Sequence, residues 1–136
     1  MISHFLSKQF LAFIFVGITA SILHWLFRYG LNFWVPFEFA VVIAYTFSLG
    51  SGFILNRLFV FPNSNRAINL QMRDFILTHL GFFPVVWGLS LILVILLPKI
   101  GVTIYVEGIA HALAIGFPMF ATFLIYKFLA FRVEAK

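Results

Sequence analysis

Four long apolar segments, separated by short polar stretches, dominate the chain. They cover residues 9–27, 39–56, 75–98 and 108–126. Each segment has about the 18 to 20 residues that an α-helix needs to cross the hydrocarbon core of a membrane. None shows the polar face at 3.6-residue spacing that is typical of a surface helix in a soluble protein. The pattern predicts an all-α membrane protein with four transmembrane helices, at about 9–29, 39–57, 75–98 and 107–127, in a single domain over residues 1–136.

The composition agrees with a membrane protein and leaves little material for an enzyme. The chain is 63% hydrophobic and 10% charged, with a mean hydropathy of +1.10, whereas soluble domains keep about a quarter of their residues charged. The longest connecting stretch, 62–73, is too short to form a core of its own. The sequence contains no phosphate-binding loop, dinucleotide fingerprint or metal-spaced set of side chains. We therefore expect no enzyme activity, no metal site and no cofactor.

The lysines and arginines that flank the predicted helices are divided unevenly between the two membrane faces. One face carries seven of them: Lys8, Arg57, Arg66, Arg73, Lys127, Arg132 and Lys136. The other face carries only Arg28 and Lys99. The positive-inside rule therefore places both termini and the 57–74 loop in the cytoplasm. The net charge of +5 then lies at the membrane surface, and we expect no nucleic-acid partner because no basic run lies elsewhere.

A polar residue followed by a cation ends the second segment and again the fourth. Asn56 and Arg57 precede an aromatic-rich tail that ends at Phe61. Tyr126 and Lys127 precede a similar tail 70 residues later. Anchoring of cations at the inner face would explain Arg57 and Lys127 individually, but their common position in a motif indicates a repeat.

The starts of the first and third segments match as well. Residues 8–10 and residues 73–75, which lie 65 positions apart, each read basic residue, polar residue, phenylalanine. Each half of the chain thus begins with a basic residue and contains two helices that end in a polar–cation pair. Since both halves begin on the same side, the pattern predicts two similar parallel helical hairpins, related by an axis near the membrane normal.

Small and polar residues recur at helical spacing inside the first two spans. They are Gly17, Ser21, His24 and Arg28 in the first, and Tyr45, Ser48, Gly52 and Asn56 in the second. Close helix packing explains Gly17, Ser48 and Gly52, because small residues let transmembrane helices approach each other. A charge at membrane depth is costly and normally faces a partner or a cavity. By that rule, a functional role is one of two open interpretations of Arg28.

Three polar side chains are candidate partners of Arg28 toward the outer side, where they are expected at the same level: Glu38, Glu107 and His111. The alternative for Arg28 is that its long side chain extends to the outer headgroups. Two further residues of the third span have simpler expected roles. Packing or lipid contact is expected for Trp87, near the middle of the span, and hydrogen-bonded packing is expected for His79.

These residues, in this order, resemble the GtrA-like family, which is related to the transmembrane region of some dolichol-phosphate mannose synthases. The matching motifs are Gln9-Phe10 with Val16-Gly17, Phe53-x-x-Asn56-Arg57-x-Phe59-Val60-Phe61, Arg73-x-Phe75, and Phe123-x-x-Tyr126-Lys127-x-x-x-Phe131. Two positions depart from the family's pattern. His24 stands where many members carry an acidic residue, and Tyr126 stands where the second copy often carries Asn.

The resemblance implies a small protein of the bacterial cytoplasmic membrane that flips polyprenyl-phosphate-linked sugars across it. Such proteins serve the synthesis or modification of cell-surface polysaccharide, including O-antigen. A guanidinium group can bind phosphate oxygens through two parallel hydrogen bonds. We therefore expect Asn56, Arg57 and Lys127 to bind the lipid phosphate at the inner face, and His24 and Arg28 to receive it farther out.

The resemblance leaves a second function open, namely a non-transporting membrane scaffold or anchor for a polyprenyl-phosphate glycosyltransferase. That scaffold would use Arg57, Arg66 and Arg73 as a surface for the partner or for anionic lipid. A third class, a small exporter of cationic drugs, lacks a carboxylate at the centre of a span. Because four helices enclose little space, a transport pathway is expected to need a homodimer or a larger homo-oligomer.

Overall fold

The apolar segments fold as four α-helices. A computed structural model describes residues 7–134, without the side chains of residues 37, 38 and 41. The helices are α1 (Lys8–Leu31), α2 (Phe37–Leu55), α3 (Ile68–Leu96) and α4 (Val106–Ile125). A π-helical turn extends α2 (π1, Asn56–Val60) and another extends α4 (π2, Tyr126–Ala130), and a 3-10 turn, Leu97–Ile100, extends α3.

The prediction of an all-α protein with four transmembrane helices is confirmed. Four helical stretches in the described part of the chain are long and apolar enough to cross a membrane: Lys8–Leu31, Val42–Val60, Ile68–Ile100 and Val106–Ala130. The chain divides into two units. The first hairpin comprises 7–66 with 133 and 134, and the second hairpin comprises Ala67–Arg132. The cytoplasmic orientation and the parallel arrangement of the hairpins stay predictions, and residues 1–6, 135 and 136 lie outside the described range.

The first hairpin is held by contacts between α1 and the second helix at several levels. The Ser7 hydroxyl caps α1 by accepting a hydrogen bond from the amide of Phe10 at 3.2 Å. Farther along, the Ser48 hydroxyl donates to the carbonyl oxygen of Ala20 at 3.2 Å. The Phe27 and Phe47 rings lie 4.3 Å apart, centroid to centroid. These contacts confirm the predicted packing role of Ser48, since it joins two helices.

Gly17 behaves differently from Ser48. A Cβ atom placed on Gly17 would meet no heavy atom within 4 Å in the part of the chain that the structure describes. The prediction that Gly17 mediates close helix packing is therefore wrong within one copy of the chain, whereas Gly52 is buried as predicted. The helical spacing that suggested packing is common to faces that contact a helix and faces that contact lipid.

The second hairpin has a cluster of aromatic rings where the first part of α3 meets π2. The Phe75 ring of α3 stacks on Tyr126 of π2, with centroids 5.0 Å apart. Phe75 also meets Phe131 edge to face at 6.3 Å. Helix α3 begins at Ile68, earlier than the start of the predicted span at 75. Its first two turns contain several polar residues, among them Gln71 and Asp74, which are buried. A hydropathy criterion therefore places the start of the segment later than the start of the helix.

An internal repeat of buried alanines was missed by the sequence analysis. Ala40 and Ala44 of α2 are fully buried, and so are Ala110 and Ala114 of α4, each 70 residues later. This offset is the one that relates Asn56 to Tyr126. The repeat therefore extends over the length of the second helix of each hairpin, where the methyl side chain of alanine allows a neighbour to come close.

Candidate functional site

Both predicted polar–cation motifs form the same backbone structure. The Phe61 amide donates to the carbonyl oxygen of Asn56, and the Phe131 amide donates to that of Tyr126, each at 2.8 Å. These bonds span five residues, one more than in an α-helix, and such π turns occur frequently at functional sites. The cation is the second residue of each turn, Arg57 in π1 and Lys127 in π2.

The two turns also share one pattern of burial. The first, fifth and sixth residues of each motif are buried: Asn56, Val60 and Phe61 in the first, Tyr126, Ala130 and Phe131 in the second. The cation at the second position is partly exposed in both, and the third and fourth residues are exposed. The π turn therefore places the polar residue inside the hairpin and leaves the cation at its surface.

Arg57 is the less constrained of the two cations. Its side chain is partly exposed, and none of the residues 7–134 forms a hydrogen bond or an ion pair with it. The turn that carries it is fixed to the start of α1, because the Gln9 side-chain amide donates to the carbonyl oxygen of Val60 at 2.9 Å. A fixed backbone thus presents a guanidinium whose donors remain available to an anion.

Asn56 lies inside the first hairpin. It is 5% exposed, and its side-chain amide donates to the carbonyl oxygen of Gly52 at 2.8 Å. Its side-chain oxygen Oδ1 is buried and accepts no hydrogen bond from any residue that the structure describes. This geometry gives Asn56 a direct part in fixing the turn, one residue before the exposed cation.

Tyr126 occupies the position of Asn56 in the second hairpin, and a different interior surrounds it. Its hydroxyl lies 3.0 Å from Nε2 of His79, and its ring stacks on Phe75. His79 also contacts the Phe75 ring, at a centroid distance of 4.7 Å. The expectation that His79 is a packed, hydrogen-bonded residue is confirmed, and Tyr126 is its hydrogen-bonding partner.

Lys127 contacts two aromatic rings. Its Nζ atom lies 5.7 Å from the ring centroid of Phe123 and 5.9 Å from that of Phe128. Both distances fall within the range of cation–π attraction, which stabilises a charge where water is scarce. The two predicted phosphate ligands thus have different surroundings, one without an internal partner and one with aromatic contacts.

The small and polar residues that recur at helical spacing in α1 differ in what they contact. The His24 ring meets Tyr45 of α2 edge to face, with centroids 6.5 Å apart. Arg28, one turn further along, is partly exposed. Ser21 is exposed, and its hydroxyl donates to the carbonyl oxygen of Gly17 in its own helix at 2.9 Å. The ring contact between His24 and Tyr45 joins α1 and α2 on this face.

The candidate outer-side partners of Arg28 have separate surroundings. The Glu38 side chain lies outside the described part of the chain. Nδ1 of His111 lies 3.2 Å from the hydroxyl of Ser90, on the facing helix of the second hairpin. Glu107 is exposed. The pairing of these residues with Arg28 stays a prediction, and Ser90 is a neighbour of His111 that the sequence analysis missed.

The 62–73 loop contains a buried arginine. Nε of Arg66 lies 3.5 Å from a carboxylate oxygen of Glu134, and the Arg66 side chain is only 4% exposed. The side-chain amide of Asn65 exchanges two hydrogen bonds with the backbone of Glu134, at 2.7 and 2.8 Å. Arg66 was expected to be a surface charge, because the sequence alone does not show that Glu134 contacts this loop.

The fold and the two motifs together define a membrane protein with four spanning helices, in which each helical hairpin ends in a π turn that carries a cation. A sequence model of the family described as "GtrA/DPMS, transmembrane domain" matches residues 12–131. The chain therefore belongs to this family, and the expected resemblance is confirmed. No curated protein and no solved structure matches the chain. Membership agrees with a multi-pass membrane protein linked to glycosyl-lipid processing.

Proposed function

We propose that the protein flips polyprenyl-phosphate-linked sugars across the membrane, with Arg57 as the principal ligand of the lipid phosphate. The observation that carries the proposal is the state of Arg57, a partly exposed guanidinium on a fixed π turn, without a hydrogen bond or an ion pair to any described residue. An arginine at a membrane boundary that is not neutralised internally is suited to an anionic ligand.

The chemistry of the substrate fits this position. A polyprenyl phosphate has a long apolar tail, so the barrier to flipping lies in moving the charged and polar head through hydrocarbon. The guanidinium forms charge-assisted hydrogen bonds to phosphate oxygens and lowers that barrier at the point of entry. Lys127 supplies a second, weaker point of attraction, since its ammonium group already interacts with Phe123 and Phe128.

The remaining candidate residues take supporting roles in this proposal. Asn56 positions the turn, because its amide is used by Gly52. His24 and Arg28 receive the headgroup farther along α1, where His24 already contacts Tyr45 across the hairpin. The protein acts by binding and moving its substrate and not as an enzyme. It resides in a bacterial cytoplasmic membrane and serves synthesis or modification of surface polysaccharide, such as O-antigen.

A homodimer or a larger homo-oligomer completes the pathway in this proposal. The supporting observation is the open surface at glycines within the spans. A Cβ atom added to Gly17, Gly50, Gly81 or Gly116 would meet no heavy atom within 4 Å in the described part of the chain. Helix surfaces with exposed glycines allow close approach of another transmembrane helix, so a second copy has room to pack there.

The alternative function, a scaffold for a glycosyltransferase, requires a different structural feature. It requires an accessible basic surface around the 62–73 loop, but Arg66 is buried against Glu134. Arg73 is 57% exposed and its Nε atom is already paired with Asp74 at 2.8 Å. The burial of one arginine and the pairing of the other favour transport over docking as the use of the Arg57 motif.

Transfer across liposomes tests the proposal. We expect Arg57→Gln to lower the rate of movement of a polyprenyl-phosphate hexose between leaflets by about 10- to 100-fold, the loss that corresponds to one charge-assisted hydrogen-bonded contact. Arg57→Lys should recover part of the rate, because it restores the charge without the planar fork.

Lys8→Gln provides the matched control for Arg57→Gln. Lys8 is an exposed cation at the same end of the first hairpin, so its removal lowers the local positive charge by the same amount. We expect close to wild-type transfer from this variant. Equal transfer by wild type and by correctly inserted Arg57→Gln protein would refute the proposed role of Arg57. A loss of glycosyltransferase recruitment at unchanged transfer would identify the scaffold function instead.

A further inference from the structure

A group of polar and aromatic side chains in the second hairpin has no role in the phosphate-binding motif. It consists of Trp87, Ser90, Glu107 and His111, and we call it the polar patch. The hydroxyl of Ser90 on α3 lies 3.2 Å from Nδ1 of His111 on α4. Trp87 lies three residues before Ser90, and Glu107 lies four residues before His111, so each shares a helix face with its neighbour.

The polar patch is open, and Ser90 and His111 lie at membrane depth, whereas Glu107 is the second residue of α4 and lies at the start of the helix. Trp87 is 61% exposed, Ser90 is partly exposed, and Glu107 and His111 are exposed. With a rise of 1.5 Å per residue, His111 lies about 8 Å inside the first residue of α4, and Ser90 lies about 15 Å from the last residue of the 3-10 turn. Polar side chains at such depth are rarely left facing lipid and usually have a polar partner or a functional role.

The chemical groups of the polar patch indicate which class of ligand can bind there. Glu107 is a carboxylate without a hydrogen bond or an ion pair to any residue in the described range, and no lysine or arginine belongs to the patch. A phosphate group is therefore disfavoured here. A metal ion would need several ligands of suitable type, and no group of three acidic or histidine side chains among the described residues can hold one.

The same residues suit a neutral molecule with several hydroxyl groups. A carboxylate accepts hydrogen bonds, an imidazole can both donate and accept, and a serine hydroxyl does both. The Trp87 indole adds an exposed aromatic face with an N–H donor at its edge. A sugar ring presents hydroxyl groups at its rim and C–H groups on its face, and both kinds of surface find a counterpart among these four side chains.

We propose that the polar patch binds the carbohydrate part of the lipid-linked substrate, with Glu107, His111 and Ser90 as hydrogen-bonding residues and Trp87 as the stacking platform. The inference rests on the proposed function for the attachment of the sugar to a lipid. It assigns the sugar and the phosphate to successive steps, because the linked groups cannot reach both places at once: His111 lies near the start of α4, whereas Arg57 follows the end of α2. The Arg57 motif binds the phosphate first, and the polar patch binds the sugar afterwards. The polar patch is then the part of the protein that determines which sugar is accepted.

Fluorescence of Trp87 tests this assignment directly. The chain has three tryptophans, so the variant Trp25→Phe/Trp34→Phe leaves Trp87 as the single reporter. This variant is titrated in nanodiscs with undecaprenyl phosphate and with the same lipid carrying glucose, mannose or galactose. We expect a saturable change in Trp87 emission with at least one glycosylated lipid and a change at least fivefold smaller with the bare phosphate.

Substitutions then assign the signal to the individual residues. In the reporter background, His111→Ala and Glu107→Gln should each weaken the sugar-dependent affinity by about tenfold, and Ser90→Ala by about threefold. Thr19→Val is the control, because Thr19 donates only to the carbonyl oxygen of Phe15 in its own helix, in the first hairpin. It should leave the sugar-dependent affinity unchanged.

The outcomes separate this inference from the proposed function. Equal emission changes with bare and glycosylated lipids, for all three sugars, would overturn the inference even if Arg57-dependent transfer is intact. Equal affinities in His111→Ala, Glu107→Gln and the parent would overturn it as well. A sugar-dependent response that needs these side chains in a protein without transfer activity would support the inference and reject flipping.

Discussion

The two hairpins have the same backbone at their motif ends but differ in what that backbone encloses. In the first, the π turn encloses Asn56, whose amide bonds to Gly52 of the same helix. In the second, it encloses Tyr126, whose ring and hydroxyl contact Phe75 and His79 of the neighbouring helix. The first motif is thus fixed mainly by its own helix, and the second by the packing of two helices.

The comparison separates the residue that is buried inside each turn from the cation that is proposed to bind the lipid phosphate. The buried residue at the first position varies between an amide and a phenol, and the i→i+5 hydrogen bond is 2.8 Å long in both. The cation at the second position differs in its surroundings. Lys127 contacts two aromatic rings, whereas Arg57 has no hydrogen bond or ion pair within the described chain. The two turns, alike in backbone, therefore place their cations in unequal surroundings.

Exchange of the buried residue gives the largest expected effect. Tyr126→Asn introduces the residue of the first hairpin into the second, where it removes the contact with Phe75 and the hydrogen bond to His79. We expect a loss of about 3 kcal/mol in the free energy of unfolding, as for other large buried side chains. Unfolding in mixed detergent micelles, followed by circular dichroism, measures it.

Tyr126→Phe is the control, since it removes only the hydroxyl. It should cost about 0.5 to 1 kcal/mol, the value for a hydrogen bond between membrane helices. If Tyr126→Asn destabilised the protein no more than Tyr126→Phe, the ring would contribute nothing and the second hairpin would not depend on aromatic packing.

Truncation at the matching position of the first hairpin should have a smaller effect on stability. Asn56→Ala removes one hydrogen bond to Gly52 together with an unpaired buried oxygen atom. We expect a loss of about 1 kcal/mol, the usual contribution of one hydrogen bond, in the same unfolding experiment. A loss as large as that of Tyr126→Asn would show that the two interiors are equally demanding and would contradict the comparison.

The smallest expected effect concerns the interhelical contact of Ser48. Ser48→Ala removes the bond to the carbonyl oxygen of Ala20 in the first hairpin. Hydrogen bonds between membrane helices contribute about 0.6 kcal/mol on average, so we expect a loss of that size. Ser51→Ala is the matched control, because the Ser51 hydroxyl donates within its own helix, to Ser48. Indistinguishable stabilities of these two variants would remove Ser48 from the packing of the hairpin.

The number of spanning helices and the location of both motifs could be predicted from the sequence. Hydrophobic length determines whether a helix can cross a membrane, and the pairs Asn56-Arg57 and Tyr126-Lys127 stand at equivalent points of their segments. The matching alanines at 40, 44, 110 and 114 could have been found by applying the same 70-residue offset. They were missed because alanine is common in all helices, so four alanines do not by themselves indicate a repeat.

Other features depend on contacts that no local pattern encodes. The π turn inserts one residue into the helical hydrogen bonding, which changes the face that each later side chain occupies. Asn56 was expected beside Arg57 as a ligand because the two residues are adjacent in sequence, which does not reveal that the Asn56 amide bonds to the carbonyl oxygen of Gly52. The burial of Arg66 depends on Glu134, a residue 68 positions away. Hydropathy likewise does not report the polar first turns of α3, whose Gln71 and Asp74 are buried.

The most direct test of the central claim compares the two cations in binding of the lipid phosphate. Undecaprenyl phosphate is titrated into nanodiscs that contain wild type, Arg57→Gln or Lys127→Gln protein, and the bound fraction is measured by native mass spectrometry. We predict that Arg57→Gln weakens binding by at least tenfold and that Lys127→Gln weakens it by about threefold or less. The reason is that Arg57 has no hydrogen bond or ion pair to a described residue, whereas Lys127 contacts two aromatic rings. Equal losses, or a larger loss with Lys127→Gln, would contradict the assignment of the phosphate to the first hairpin.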